Sequence, residues 1–88
     1  MKRISRKTMQ NMMPVGSRWV ASWPNSHTSA EDRVVTNLPS WGVDFDIGSL
    51  RFEKGDKQFA GRGFVEVHFG SLGQFVRYTY VDKDKEAE

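Results

Sequence analysis

Three carboxylates in the middle of the chain, Asp44, Asp46 and Glu66, are the side chains best suited to chemistry. Gathered on one sheet face, they would offer hard oxygen ligands to Mg²⁺ or Ca²⁺. A solvated outer sheet face accounts for them more simply, because Arg77 is expected opposite Glu66, where it neutralises the charge. His27 lies in a polar loop and His68 on a strand, and neither has a second ligand at metal spacing. Serines follow glycines at 16–17, 48–49 and 70–71, but no nucleophile elbow surrounds them. Gly61 and Gly63 precede no helix, so they form no phosphate loop. These residues predict a protein that is not an enzyme and has no metal and no cofactor.

The remaining candidates concern binding. Residues 1–18 carry Lys2, Arg3, Arg6, Lys7 and Arg18 with no acid, whereas the last seven residues, "DKDKEAE", carry four acids and two lysines. The net charge of +2 is therefore concentrated in a basic head over a nearly neutral body. Such a head can bind phosphates by counterion release or meet an acidic protein surface. Trp23, at the end of the first strand of the body, is the aromatic that joins this candidate site. The alternative surface is an outer sheet face with Asp44, Asp46, Phe64, Glu66, Phe75 and Arg77.

The stretch "GRGFVEVHF", Gly61 to Phe69, resembles the RNA-contacting strand of RRM domains at Arg62, Gly63, Phe64, Val67 and Phe69. It departs at Val65, where a small residue belongs, and at Glu66, where a stacking aromatic belongs. An RRM also lays two long helices over its sheet, and no long helical pattern follows residue 13. "VEVHF" is similar to the "FVHF" of cold-shock domains, without the aromatic-rich strand that precedes it there. Both likenesses read as convergence on a glycine-bearing strand. With Asp44 and Asp46 expected beside Glu66, that face should repel phosphate.

The elements that must position these residues fit one small domain of 88 residues. There is no cysteine, so three Trp, six Phe and two Tyr must carry much of the burial. No apolar run reaches the ~20 residues of a membrane span, and the basic head lacks the apolar stretch of a secretory signal. The expectation is a cytoplasmic protein without membrane contact. "ISRKTMQNMMP" predicts a short helix capped by Ser5, with Met9, Met12 and Met13 on one face and Pro14 as its stop. Residues 1–14 are then a basic arm with this helix, 15–81 a single β domain, and 82–88 a charged, disordered tail.

Five strands are predicted: "SRWVASW", "RVVTNL", "WGVDFDIGSLRFE", "KQFAGRGFVEVHF" and "QFVRYTYV". They predict a mainly β fold, an antiparallel curled sheet or small SH3-like barrel with one short N-terminal helix. The third and fourth strands read as a long hairpin around Gly55-Asp56. In that register Val43, Phe45 and Ile47 fall out of phase with Leu50 and Phe52, so a bulge at Gly48-Ser49 is required. Phe45 then faces Val65 and Val43 faces Val67. A four-residue "GSLG" connection sets Val67 opposite Val76, Val65 opposite Tyr78 and Glu66 opposite Arg77. One apolar face results, with Trp41, Val43, Phe45, Ile47, Val65, Val67, Phe69, Val76, Tyr78 and Tyr80; Phe59 points to the same side.

Three functions follow as expectations. The first is a small protein-binding module, a class that includes the host-directed inhibitors encoded by bacteriophages. The second is a small nucleic-acid-binding β-barrel using its basic arm. The third is a structural subunit that pairs through a strand edge. The nearly neutral body argues against broad phosphate binding and places protein binding ahead of nucleic acid.

Overall fold

Local signals at the N-terminus are realised. Ser5 is the N-cap of α1 (Arg6–Met12) and its hydroxyl accepts from the Thr8 N–H at 3.0 Å. Met9 and Met13 are one helical turn apart and completely buried, whereas Met12 is exposed. The expected methionine face thus narrows to one i, i+4 pair.

The structure, a computed structural model, describes residues 1–70 and 73–81. Among these residues, eight antiparallel strands form one sheet: β1 (Lys2–Ile4), β2 (Arg18–Ser22), β3 (Glu31–Asn37), β4 (Gly42–Phe45), β5 (Ser49–Arg51), β6 (Lys57–Gly61), β7 (Phe64–His68) and β8 (Phe75–Tyr80). Their spatial order is β1-β6-β7-β8-β2-β3-β4-β5. Phe45 of β4 stacks on Tyr78 of β8 at 5.3 Å although β2 and β3 lie between them in the sheet, so the sheet is strongly curled. It does not close into a barrel, because β1 and β5 remain unpaired edges. α1 follows β1 in the chain, and its side chains reach the β4–β5 end of the sheet: Arg6 donates to the Glu53 carbonyl and lies over Phe52, and Gln10 Nε2 donates to the Pro39 and Gly42 carbonyls at 2.7 and 2.8 Å.

The five expected strands become eight because two are cut by turns and the head adds one. The segment expected as one bulged strand over 41–53 is a hairpin of its own. Val43 faces Leu50 and Asp44 faces Ser49, with Phe45 N–H donating to the Gly48 carbonyl at 3.0 Å. Gly48 has φ +76° and ends a turn rather than a bulge. The segment expected as one strand over 57–69 is also folded back. Gly61 faces Phe64 across an Arg62-Gly63 turn, with Gly63 at φ +80°. Only glycine enters this region cheaply, so Gly48 and Gly63, which looked like strand residues, are where the chain reverses. Lys2–Ile4, expected in the arm, pairs with β6 as Lys2↔Ala60, Arg3↔Phe59 and Ile4↔Gln58.

These cuts overturn the long hairpin. β4 pairs with β3 and β5, not with β7, so neither Phe45–Val65 nor Val43–Val67 is a strand pair. The register between β7 and β8 is the expected one: Val65↔Tyr78, Glu66↔Arg77 and Val67↔Val76. Part of the connection before β8, Ser71 and Leu72, lies outside the described residues, as does the tail expected at 82–88.

Inside the curl, Met9, Met13, Trp19, Ala21, Val35, Val43, Phe45, Leu50, Phe52, Val65, Val67, Val76 and Tyr78 form the core. Trp41, Ile47 and Tyr80, expected there, are 36 %, 58 % and 49 % exposed. Trp41 and Ile47 flank the ends of the β4–β5 hairpin and never reach the curl. Tyr80 ends β8, where it pairs with Trp19 of β2 but lies beyond Phe64↔Thr79, the last pair with β7. Helix α1 is seven residues long, and no helix among the described residues is long and apolar enough to cross a membrane.

Candidate binding face

Directly opposed residues in an antiparallel sheet project to the same side. The observed pairs therefore lay out the outer face row by row. One row reads Arg3, Phe59, Glu66, Arg77 and Ser22 across β1, β6, β7, β8 and β2. The row below it reads Lys57, His68 and Phe75, and the row above reads Gly61, Phe64, Thr79 and Val20. The helix, with Met9 and Met13 in the core, covers the other side.

Glu66 lies at the centre and is only 2 % exposed, although it faces away from the core. Its carboxylate accepts from Arg77 Nε at 2.7 Å and contacts His68 Nε2, also at 2.7 Å. Arg77 Nη2 completes a second contact to Oε2 at 2.7 Å. Burial raises the Glu66 pKa, but the hydrogen bonds from His68 and Arg77, with their charges, outweigh it and hold the carboxyl below its ordinary 4.5. A layer of rings covers this cluster. His68 stacks on Phe75, with ring centroids 4.8 Å apart and planes at 12°, and meets Phe59 edge-on at 4.8 Å. Arg77 lies over Phe64 at 5.2 Å and over Phe75 at 6.0 Å. A Cβ on Gly61 would lie 2.3 Å from the Phe64 ring, so the absence of a side chain there lets that ring lie close against β6. All three phenylalanines are partly exposed. The Glu66–Arg77 pair is thus the inner layer of a surface made of rings and cations.

The structure redistributes the sequence candidates. Phe64, Glu66, Phe75 and Arg77 share this face, and Arg3 from the basic head joins them through β1. Asp44 and Asp46 do not. Asp44 pairs with Ser49 and Asn37. Asp46 Oδ1 accepts from the Val34 and Ile47 amides at 3.0 and 2.9 Å, so it holds the β4–β5 turn to β3. Among the described residues, no group of three or more His, Asp or Glu is placed to hold a metal ion. Lys2 falls on the alternate row of β1, opposite Ala60. Arg6 and Lys7 are on α1, with Arg6 against Phe52, and Arg18 begins β2, where its carbonyl accepts from Val81. Trp23 follows β2 and is partly buried under Arg33, 5.3 Å from its ring. It lines a small cleft with Phe69 and Phe75. Three strands separate β1 from β2 in the sheet, so Trp23 and Arg3 stand on opposite flanks of the ring layer.

His68 faces outward with Phe64 and Glu66, as strand alternation predicts, whereas Phe59 and Lys57 are members of this face that the sequence pattern did not reveal. The overlooked signal was Arg62-Gly63: as a two-residue turn it changes the parity of β6 and moves Phe59 from the core side to the outer side. Arg3, Lys57 and Arg77 give the face its positive character, while its central acid is covered and paired twice. Asp32 falls on the same side by register, on β3, two strands beyond β8. The chain matches no protein-family model, no curated protein and no solved structure, and the functional reading rests on this geometry.

Proposed function

We propose that this chain is a non-enzymatic binding module that holds an acidic macromolecular partner against the outer face of β6, β7 and β8. One observation carries the reading: the register sets Arg3, Phe59, Glu66 and Arg77 in a single row, with the only carboxylate of that row buried and neutralised. Partly exposed rings beside arginines are what binding hot spots are made of. A protein partner with acidic side chains fits this description, and a small inhibitor of a larger protein would work this way. The strand-edge subunit has weaker support, because the edge strands β1 and β5 are three residues each and β1 carries Lys2 and Arg3. Charged edges disfavour pairing.

The test is affinity capture from cell extract, with and without nuclease, comparing the native chain with an Arg3→Glu/Lys57→Glu variant. The reading expects a partner that the native chain retains at low salt, that elutes as salt rises, and that the variant fails to hold. Capture of the same partner by both chains would overturn the assignment of this face.

A further inference from the structure

We infer that the occupant of the outer face is a single-stranded nucleic acid, its bases stacked on the layer formed by Phe59, Phe64, Phe75, His68 and Arg77. This rests on the binding reading above and narrows it to one class of partner. In sequence, the nearly neutral body ranks nucleic acid second, and Asp44 and Asp46, expected beside Glu66, argue against phosphate on this face. Both belong to the β4–β5 hairpin, and Glu66 is covered, so that electrostatic objection is gone.

The state of Arg77 then separates the two kinds of acidic partner. A protein carboxylate is best recognised by a free guanidinium fork. Here the Nε–Nη2 side of the fork is occupied, with both atoms 2.7 Å from Glu66 Oε2, and only the Nη1 end is left for a partner. Its guanidinium carbon lies over Phe64 and Phe75, 5.2 and 6.0 Å from their ring centroids, so Arg77 is part of the ring layer. His68 is in the same condition, its Nε2 held by Glu66 and its ring nearly parallel to Phe75. Glu66 is therefore a positioning residue that turns two polar side chains into stacking surfaces. Planar groups on a sheet, continuous with partly exposed phenylalanines, suit bases, because every base has a π-face.

The cations stand where a backbone would run. Arg3 lies three strands from Arg77, roughly 14 Å at ordinary strand spacing, and Lys57 occupies the next row on β6. Phosphates crossing the strands would pass from one to the other while bases turn down onto the rings. A duplex cannot offer its bases this way, since they are already stacked. The only helix among the described residues, seven residues long, contributes Met9 and Met13 to the core, so it is not available to enter a groove.

The experiment is fluorescence anisotropy of the purified full chain with labelled oligothymidylate, labelled oligouridylate, a duplex of equal length and labelled polyglutamate, each across a salt series. The expected result is binding of both single strands, weaker binding of the duplex and of polyglutamate, and affinity that falls as salt rises. Phe64→Leu/Phe75→Leu keeps an apolar cover over Glu66 but removes the rings. It should lower single-strand affinity at least about tenfold with the salt slope unchanged. Arg3→Gln/Lys57→Gln alters exposed positions only, and it should reduce the slope by ~0.7 for each phosphate no longer neutralised. Near-ultraviolet circular dichroism of each variant confirms the native core. If polyglutamate binds as tightly as the oligonucleotides, or the leucine variant binds them unchanged, the nucleic-acid inference is overturned while the binding-module reading stands. If no polyanion binds even at low salt, both fall.

Discussion

The two faces of β6, β7 and β8 use alternate residues of the same strands, and each buries its centre equally well. Tyr78 on the inner face and Glu66 on the outer face are both 2 % exposed. On the inner face Val65, Val67 and Val76 surround Tyr78, and the stabilisation comes from removing apolar surface from water. Burial there raises the Tyr78 hydroxyl pKa to about 12. On the outer face the same depth would be costly for a bare carboxylate. It is tolerated because Arg77 and His68 satisfy Glu66, and because Phe59, Phe64 and Phe75 pack against those two. Depth of burial therefore does not distinguish core from surface here; the way in which each buried group is compensated does. An inner face stabilised by dispersion and hydrophobic burial has nothing to present. An outer face stabilised by charge pairing under a thin ring layer keeps cations and π-surfaces toward solvent.

That contrast can be broken from its strongest side first. Tyr78→Ala removes a stacked ring from the core and should cost about 3–5 kcal/mol in urea denaturation. A loss under about 1 kcal/mol would show that the inner face is not the centre of the fold. Arg77→Met leaves Glu66 with His68 alone and should cost about 1–3 kcal/mol, less than a fully buried pair because Arg77 is partly exposed. Glu66→Gln added to Arg77→Met should recover part of that loss, since no charge is then stranded. A double variant no more stable than Arg77→Met would count against a buried, compensated charge.

Acid should separate the faces more gently. The Glu66 carboxyl is held below 4.5 in the folded chain, so its contribution is complete above that value and is lost as pH falls through the lowered pKa. Native Tm should drop over this acidic window, and the Glu66→Gln chain should show a smaller drop. At the alkaline end the sign reverses for the inner face. Tyr78 is pushed up to about 12 from 10.0, so its contribution is complete below 10 and fades toward 12. Smallest of all should be the effect of Arg3→Glu/Lys57→Glu on stability, within about 0.5 kcal/mol, because both are exposed at the periphery of the ring layer. A larger loss would mean that these cations hold the sheet together rather than await a partner.

Parts of both faces were legible in the sequence. The β7–β8 register and the Glu66–Arg77 pair follow from alternation on two strands joined by a short connection, and the α1 cap follows from Ser5. Half of the outer face was not. Phe59 falls on the core side in sequence because "KQFAGRGFVEVHF" keeps one parity if it is a single strand, and Arg62-Gly63 hides the reversal. Arg3 looks like part of a free arm, because nothing local in "MKRIS" records a strand that exists only when β6 lies beside it.

The sequence by itself determined a β-rich chain with one capped helix turn, a cysteine-free core of valines and aromatics, and the pairing of Glu66 with Arg77. These are local or nearest-neighbour properties, set by periodicity, capping and short connections. Only the tertiary structure decided that two apparent strands are hairpins, that Asp44 and Asp46 stand apart from Glu66, and that Arg3 and Phe59 meet Phe64, His68, Phe75 and Arg77 on one face. The physical reason is parity. In a strand each residue's side is relative to its neighbours, so one glycine turn reassigns every side chain before it, and the energy that selects the turn comes from the whole curled sheet rather than from the residues in the turn.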